Sequence, residues 1–360
     1  PAVLRRPRTR QRSGRGKSVR RWGRGLFRVA MAFAVSALAV TYEQRVRLSS
    51  AGGPGAAPSK TKAAAPAMLL PGHRGPVVAV ASTVEDQWIV SAGADATVRV
   101  WSAGSGGLVR TIDLAEGPAT AFAVDGRRAL VGHEDGTVVL WDLDNAARLA
   151  TFRHGGAAVT AVAFLGERLV VAHRDGGVGL LDPGAPHTPV ALDTHESGGH
   201  LVAAARARTL MVTAFDRTLR LWRGLEPRLV RTYRLTGDSA AVDIAPDASY
   251  VAGGSADGVV RFQRSPGPRG PGAHAVHTFK AHAGRITAIA LGPSGLLASA
   301  GEDGSLKLWT LHPQRIGRAL DGGQVQSLGF SRDGRRLIAG GKDGVIRVWS
   351  VKMPPLSGAT

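Results

Sequence analysis

No cysteine occurs among the 360 residues, which excludes disulfides, thiolate metal sites, a cysteine nucleophile and covalent haem attachment. The redox compartment stays open, because a cysteine-free chain suits an oxidising space as well as a reducing one. Aromatic residues are scarce, at 5%, which argues against a large aromatic cofactor pocket. Acidic residues are almost missing from the first 62 positions, where 15 Lys and Arg face a single acid, Glu43, for a charge of +14. The remainder carries 31 basic and 26 acidic residues, so only +5 of the total +19 belongs to it. An argument from positive charge to nucleic acid therefore concerns the N-terminal segment alone. What is plentiful is glycine, at 48 residues, and apolar side chains, at 44%. Many tight turns and a sizeable core follow, in one large domain or two ordinary ones.

Residues 1–28 hold eleven Lys and Arg and no acid, and form a basic N-terminal region without a folding pattern. Val29–Val40 then runs twelve residues without a charge. A bilayer-spanning helix needs roughly 20 apolar residues, whereas the apolar part of a secretory signal takes about 7–15. Ala37-Leu38-Ala39 supplies a small-x-small cleavage site, and Arg20-Arg21 resembles a twin-arginine signal, with Trp22-Gly23-Arg24 and Arg28 departing from that pattern. Four readings stay open: an export signal cleaved after Ala39 or kept, a membrane anchor over 29–42 in another setting, an organelle transit peptide, and a nucleic-acid arm. The apolar run favours the export and anchor readings. The expected location is extracytoplasmic or membrane-tethered, with organelle targeting as the alternative. Residues 43–66 include a Gly/Pro/Ala/Ser-rich stretch that reads as a flexible linker, and 353–360 read as a C-terminal tail.

The chain between is periodic. Aspartates stand at Asp95, Asp135, Asp175, Asp216, Asp257, Asp303 and Asp343, spaced 40, 40, 41, 41, 46 and 40. Six residues after each come Trp101, Trp141, Leu181, Trp222, Gln263, Trp309 and Trp349, so five of the seven tryptophans share one position. The sixth repeat shows the local physics. Ile286–Ala290 alternates as a strand, Gly292–Gly295 turns, Leu296–Ala300 is a second strand, Ser305–Trp309 a third and Arg315–Leu320 a fourth. Glu302-Asp303-Gly304 is a tight turn of the kind Asp-Gly favours, because glycine accepts positive φ. Five of the seven aspartates precede glycine; Asp95-Ala96 and Asp216-Arg217 do not. Seven such units of about 40–45 residues with a Trp-Asp signature predict an all-β propeller of seven four-stranded antiparallel blades over 67–352. A missing fourth strand after Trp349 and a spare strand near residues 67–70 suggest that the N-terminal strand pairs with the last blade and closes the ring.

These residues resemble the WD-repeat family across 67–352. The resemblance implies a hydrogen-bonded set in each blade: a loop histidine, a serine or threonine in the second strand, the turn aspartate and the third-strand tryptophan. The first repeat carries it as His73, Ser91, Asp95 and Trp101, and the sixth as His282, Ser299, Asp303 and Trp309. The other repeats are partial. The second has Asp135 and the only literal Trp-Asp pair, Trp141-Asp142; the third has His154 and Asp175 with Leu181 in place of tryptophan. The fourth has Asp216 and Trp222, the fifth Asp257 with Gln263 and an inserted Gly/Pro-rich loop near 265–275, and the seventh Asp343 and Trp349.

Catalytic motifs are wanting. Gly16-Lys17-Ser18 resembles the end of a phosphate loop, but Gln11 stands where its glycine belongs and no strand precedes it. His195 with His200, and His274 with His277, share loops, yet no His-x-x-x-His pair with a glutamate base occurs. No cofactor is implied. The family resemblance suggests that the face bearing the aspartate turns binds peptides or proteins. The residues just before the aspartates make the candidate rim: Glu134, Arg174, Phe215, Glu302 and Lys342. Their mixed signs argue against a nucleic-acid face, which should be uniformly basic. The expected function is a non-enzymatic protein–protein interaction scaffold on a monomeric propeller. The alternatives are ligand binding or catalysis in the central channel, and a nucleic-acid scaffold using the basic arm.

Overall fold

Apolar residues in this chain come in short runs that are shielded on two sides, and this dictates stacked sheets. The second strand of the first repeat, Trp88–Gly93, is buried at every residue but the first, whereas Leu108–Asp113 buries mainly Ile112. A strand buried on both faces needs a sheet or neighbour against each. In a computed structural model, residues 63–351 are described apart from 84, 154–155, 193–200, 206–209, 216, 266–274 and 312–313. The chain divides at Thr61/Lys62 into two units, and the described residues belong to the second. The expectations for the basic region, the apolar segment, the linker as far as residue 62 and the 353–360 tail lie outside the described residues.

Strand β1 is Met68–Pro71. The first sheet follows as β2 (Val77–Ser82), β3 (Trp88–Gly93), β4 (Thr97–Ser102) and β5 (Leu108–Asp113). The second is β6 (Ala119–Asp125), β7 (Arg128–His133), β8 (Thr137–Asp142) and β9 (Ala147–Arg153). The third is β10 (Val159–Leu165), β11 (Arg168–His173), β12 (Val178–Asp182) and β13 (Ala185–Leu192). The fourth is β14 (Leu201–Ala205), β15 (Leu210–Phe215), β16 (Thr218–Arg223) and β17 (Arg228–Arg234). The fifth is β18 (Ser239–Ile244), β19 (Tyr250–Ser255), β20 (Val259–Arg264) and β21 (His277–Lys280). The sixth is β22 (Ile286–Leu291), β23 (Leu296–Gly301), β24 (Leu306–Leu311) and β25 (Gln314–Leu320). The seventh is β26 (Val325–Phe330), β27 (Arg336–Gly341) and β28 (Val345–Ser350), with β1 as its fourth strand.

All seven sheets are antiparallel meanders of four strands. One turn of 3-10 helix, Pro293–Gly295, is the helical element among the described residues. The turn geometry explains the Asp-Gly pairs. Gly136, Gly176, Gly258, Gly304 and Gly344 have φ of 81°, 100°, 78°, 74° and 79°. Ala96 and Arg217 hold the same position at 58° and 65°, a left-handed conformation that costs a non-glycine residue about 1–2 kcal/mol.

Seven apolar clusters fill the seven gaps between neighbouring sheets. One joins Val90, Val98 and Val100 of the first sheet to Ala129, Val131 and Trp141 of the second. Another joins Leu70, Ile338 and Val348 of the seventh to Val77, Ile89 and Trp101 of the first. Polar links accompany that last gap. Ser327 Oγ donates to the Val77 carbonyl at 3.3 Å. The Asp86 carboxylate accepts the backbone N–H groups of Arg332 and Asp333 at 2.8 and 3.0 Å. The sheets thus meet head to tail around a circle.

The seam of the circle is β1 against β28, with Met68 opposite Val348 and Leu70 opposite Ile346. The chain is held even before β1. Although the sequence assigns residues up to 66 to a flexible linker, Ala64 is buried, donates its N–H to the Ala319 carbonyl at 3.1 Å and bridges Leu320. On β1 the two faces differ sharply: Leu70 is 1% exposed and Leu69 57%. Truncating a fully buried leucine costs about 2–5 kcal/mol. Leu70→Ala is expected to lower the unfolding free energy by that amount in urea titrations, and Leu69→Ala to change it by less than about 0.5 kcal/mol. Equal effects would place β1 off the seam.

Candidate functional site

The aspartate turns and the loops leading into each innermost strand gather on one face of the ring, because every innermost strand starts there and every second strand ends there. On this face the first and sixth blades are tied alike. His73 Nδ1 lies 2.9 Å from Asp95 Oδ1, and its Nε2 lies 2.8 Å from Ser91 Oγ. Trp101 Nε1 donates to the same Ser91 Oγ at 3.0 Å. His282 sits 3.1 Å from Asp303 and 2.8 Å from Ser299, and Trp309 Nε1 donates to Ser299 at 2.9 Å. Each hydroxyl is thus shared between a histidine and an indole N–H, and the aspartate also accepts a loop N–H, from Arg74 at 2.9 Å or Ala283 at 3.0 Å.

The other blades solve the same problem with different groups. Asp135 accepts Thr137 N–H at 2.9 Å and its hydroxyl at 2.8 Å, and Asp175 accepts Gly177 N–H at 3.1 Å. Asp257 accepts the Ser255 hydroxyl and Val259 N–H, and Asp343 is gripped by Arg347 at 2.6 and 3.1 Å. Asp216, His154, His195, His200 and His274 lie outside the described residues. Trp222 Nε1 finds Thr213 Oγ1 at 3.0 Å, and Trp349 Nε1 finds the Ala64 carbonyl at 3.0 Å. That last partner is backbone, with no mark in the sequence.

Sequence reasoning also missed two histidines. His133 and His173 end β7 and β11, opposite Ala119 and Val159, where Gly93 and Gly301 end β3 and β23. In the tied blades that position must be glycine: a Cβ on Gly301 would come 2.6 Å from His282 Cγ. In the second and third blades the histidine grows from the strand into this region. His173 Nδ1 lies 3.1 Å from the Ala157 carbonyl, but both His133 ring nitrogens and Trp141 Nε1 are buried without a partner. The readable signal is His-x-Asp in place of Gly-x-Asp. Arg148 covers the Trp141 ring at 5.3 Å and pairs with Glu116 at 2.7 Å. In the fifth blade Gln263, in place of tryptophan, is buried with Oε1 unpaired.

The rim residues are not all alike. Arg174 and Glu134 grip each other across the second and third blades at 2.6 and 3.0 Å, both well exposed. Glu302 and Lys342 are exposed. Phe215 departs from its expected place. Its blade has one residue fewer between the second and third strands, so Phe215 is the last residue of β15, paired with Thr218, in register with the glycines and histidines above. Counting back from the aspartate hides this shortening.

A cavity with channel walls opens on the opposite face. It measures about 470 Å³ and is lined by the last residues of the seven innermost strands, among them Phe164, Ala204, Asp243, Leu328 and Phe330. Asp243 Oδ2 accepts Leu291 N–H from the neighbouring blade at 2.7 Å, and Oδ1 accepts Ile244 N–H at 2.8 Å. Removal from water pushes its carboxyl up to about 7, against the lowering effect of those two bonds. Among the described residues no group of three or more His, Asp or Glu could hold a metal ion, and no helix is long and apolar enough to cross a membrane.

With this geometry in view, the relationships are clear. Residues 65–102, 106–142, 274–310 and 316–350 match the WD domain, G-beta repeat model. WD40 repeats thus occupy these four segments, and the described strands form the seven four-stranded sheets of a propeller. The matched segments run over β1 to β4, β5 to β8, β21 to β24 and β25 to β28; Leu181, the shortened turn at Phe215 and Gln263 lie in the stretch between them. The chain is similar to the ribosome biogenesis protein WDR12 homolog of Chlamydomonas reinhardtii, 31% identical over 170 residues, which is 42% of this chain and 37% of that protein. It is also similar to the small ribosomal subunit protein RACK1y of Oryza sativa subsp. japonica, 30% identical over 160 residues, 40% of this chain and 44% of that one. The chain spans less than half the length of these relatives. A chain in the crystal structure of the mitotic checkpoint complex shares the fold with TM-score 0.70 at 18% identity, over 84% of this chain and 98% of that one.

The ties have an acid signature. Burial lowers the His73 and His282 pKa values below the ordinary 6.5, against the raising effect of their aspartates. The folded state therefore holds both rings neutral, and the unfolded chain takes up protons first as pH falls below 6.5. Stability from this source is complete above 6.5 and is lost on acidification. Asp95, held at about 2 by the bonds from Arg74, His73 and Thr97 despite its burial, adds a second loss below 3.8. His282→Ala is expected to cost about 1–3 kcal/mol at pH 7.5. Denaturation from pH 7.5 to 5.5 should show a shallower decline for the variant than for the wild type; parallel curves would remove His282 from the tie.

Proposed function

We propose that the chain is a non-enzymatic scaffold that binds protein partners through the faces of its propeller. The observation that carries this reading is how the polar groups are used. Asp95 and Asp303, with the buried His73 and His282, are bound into the blades, and exposed, mixed-charge loops such as Glu302 and Lys342 remain on the aspartate face. A fixed ring of loops offers surface without a moving part, which suits recognition. Delivery out of the cytoplasm or onto a membrane by residues 1–42 is part of the proposal, supported by the basic-then-apolar sequence alone.

The test is site-specific photo-crosslinking in cells. A photoreactive residue at position 302 or 342 is expected to capture discrete protein partners, and the Glu302→Lys/Lys342→Glu double variant to lose them at least tenfold at unchanged melting temperature. Adducts no different from those of a probe at solvent-exposed Leu229 would refute a specific rim. Fractionation with N-terminal sequencing of the mature chain checks the leader: cleavage after Ala39 or membrane retention agrees with the proposal, and a soluble cytosolic chain with an intact leader contradicts it.

A further inference from the structure

The channel mouth on the face away from the aspartate turns has a feature that scaffolding does not use. Its walls mix apolar and polar groups: Val80, Val124, Phe164, Ala204, Leu328 and Phe330 come from five of the seven blades, with Ser82 and Thr83 beside them. A volume of about 470 Å³ falls within the range of small-ligand pockets, roughly 300–1,000 Å³. Three charged side chains line it. Asp125 is paired with Arg128 at 3.4 Å, and Arg128 in turn reaches Glu167 at 3.1 Å and lies over the Phe164 ring. Arg332 is exposed at the edge. Asp243 differs, for among the described residues its two bonds are both to backbone N–H groups and no cation stands beside it.

A carboxylate drawn out of water is unfavourable unless its charge is met. Each Asp243 oxygen has accepted one hydrogen bond, and a carboxylate oxygen has room for another. We propose that this mouth is a binding site for a single cationic amine carried on an apolar body, the ammonium bonding to Asp243 and the body filling the space between Phe164 and Phe330. The ammonium meets the Asp243 charge through charge-assisted hydrogen bonds, the stronger kind. A free amine and a lysine side chain on a partner share this chemistry.

The test uses the whole chain and two probes, phenethylamine and the peptide acetyl-Leu-Lys-Leu-amide, each titrated by calorimetry. Phenethyl alcohol and the norleucine peptide serve as neutral counterparts. At least one cationic probe is expected to bind about tenfold or more tightly than its neutral counterpart, since hydrogen bonds to charged groups are the stronger kind. Tighter binding of the amine identifies a free ligand, and of the peptide a protein side chain. Asp243→Asn should abolish the difference. Because Asp243 also holds Leu291, a second measurement avoids the variant: a diazirine derivative of the better probe should label Phe164, Leu328 or Phe330 in wild type. No binding by either cation, equal binding by the neutral forms, or labelling elsewhere would overturn the proposal. The rim crosslinks at Glu302 and Lys342 are independent of all three results.

Discussion

A small twisted sheet with two apolar faces cannot stand in water, and nearly everything in this structure answers that constraint. Each of the seven sheets buries its two faces against its neighbours, and a row of sheets always leaves two faces bare unless it closes. Closure falls to contacts between residues roughly 250 apart in sequence. Ser327 reaches Val77, Asp86 reaches the backbone of Arg332 and Asp333, and β1 lies against β28. Each is a modest interaction. Together they bring the apolar surfaces of the first and seventh sheets into one cluster, where burial of Leu70, Ile89 and Ile338 supplies the driving force.

Within the blades the recurring task is to satisfy polar groups that the sheets bury. A tryptophan in the third strand fills the gap toward the preceding blade, and its N–H then needs an acceptor. Ser91, Thr213, Ser299 and the Ala64 carbonyl provide it in four cases. The Ala64 solution couples the polar tie to ring closure, because the same backbone group also accepts from Asp321. Where the set is incomplete, unpaired atoms gather. Trp141 and His133 in the second blade and Gln263 in the fifth show the result of losing one partner while keeping the other. An unpaired buried group costs about 1–3 kcal/mol.

The blade count, the antiparallel four-stranded sheets and the sixth-blade strands, to within about two residues, could be read from the repeat of Asp95 through Asp343. That is because turn chemistry and strand alternation are local. Non-local or backbone-mediated features could not be read. No pattern marks the Ala64 carbonyl as the partner of Trp349. The one-residue shortening before Asp216 keeps the spacing to Trp222, so only strand pairing places Phe215 at the end of β15. The glycine or histidine at the end of five of the second strands was visible as a letter, but its meaning depends on whether a ring from the leading loop occupies the same space, as His282 does over Gly301. The channel mouth needed all seven innermost strands in place before Asp243 could be seen on its wall.

Structure and function meet in the rigidity of the closed ring. Loops held by bonded aspartates and histidines keep a fixed surface at one face, and a cavity walled by every blade keeps its shape at the other. Both depend on the seventh blade being as firmly built as the rest. Residue-resolved native-state hydrogen exchange addresses this directly. In a closed ring the amides of β27 and β28 exchange only through the same global opening as those of β7 and β23. Exchange of β28 through a smaller opening, with β7 and β23 still protected, would show that the circle is not closed and would contradict the account.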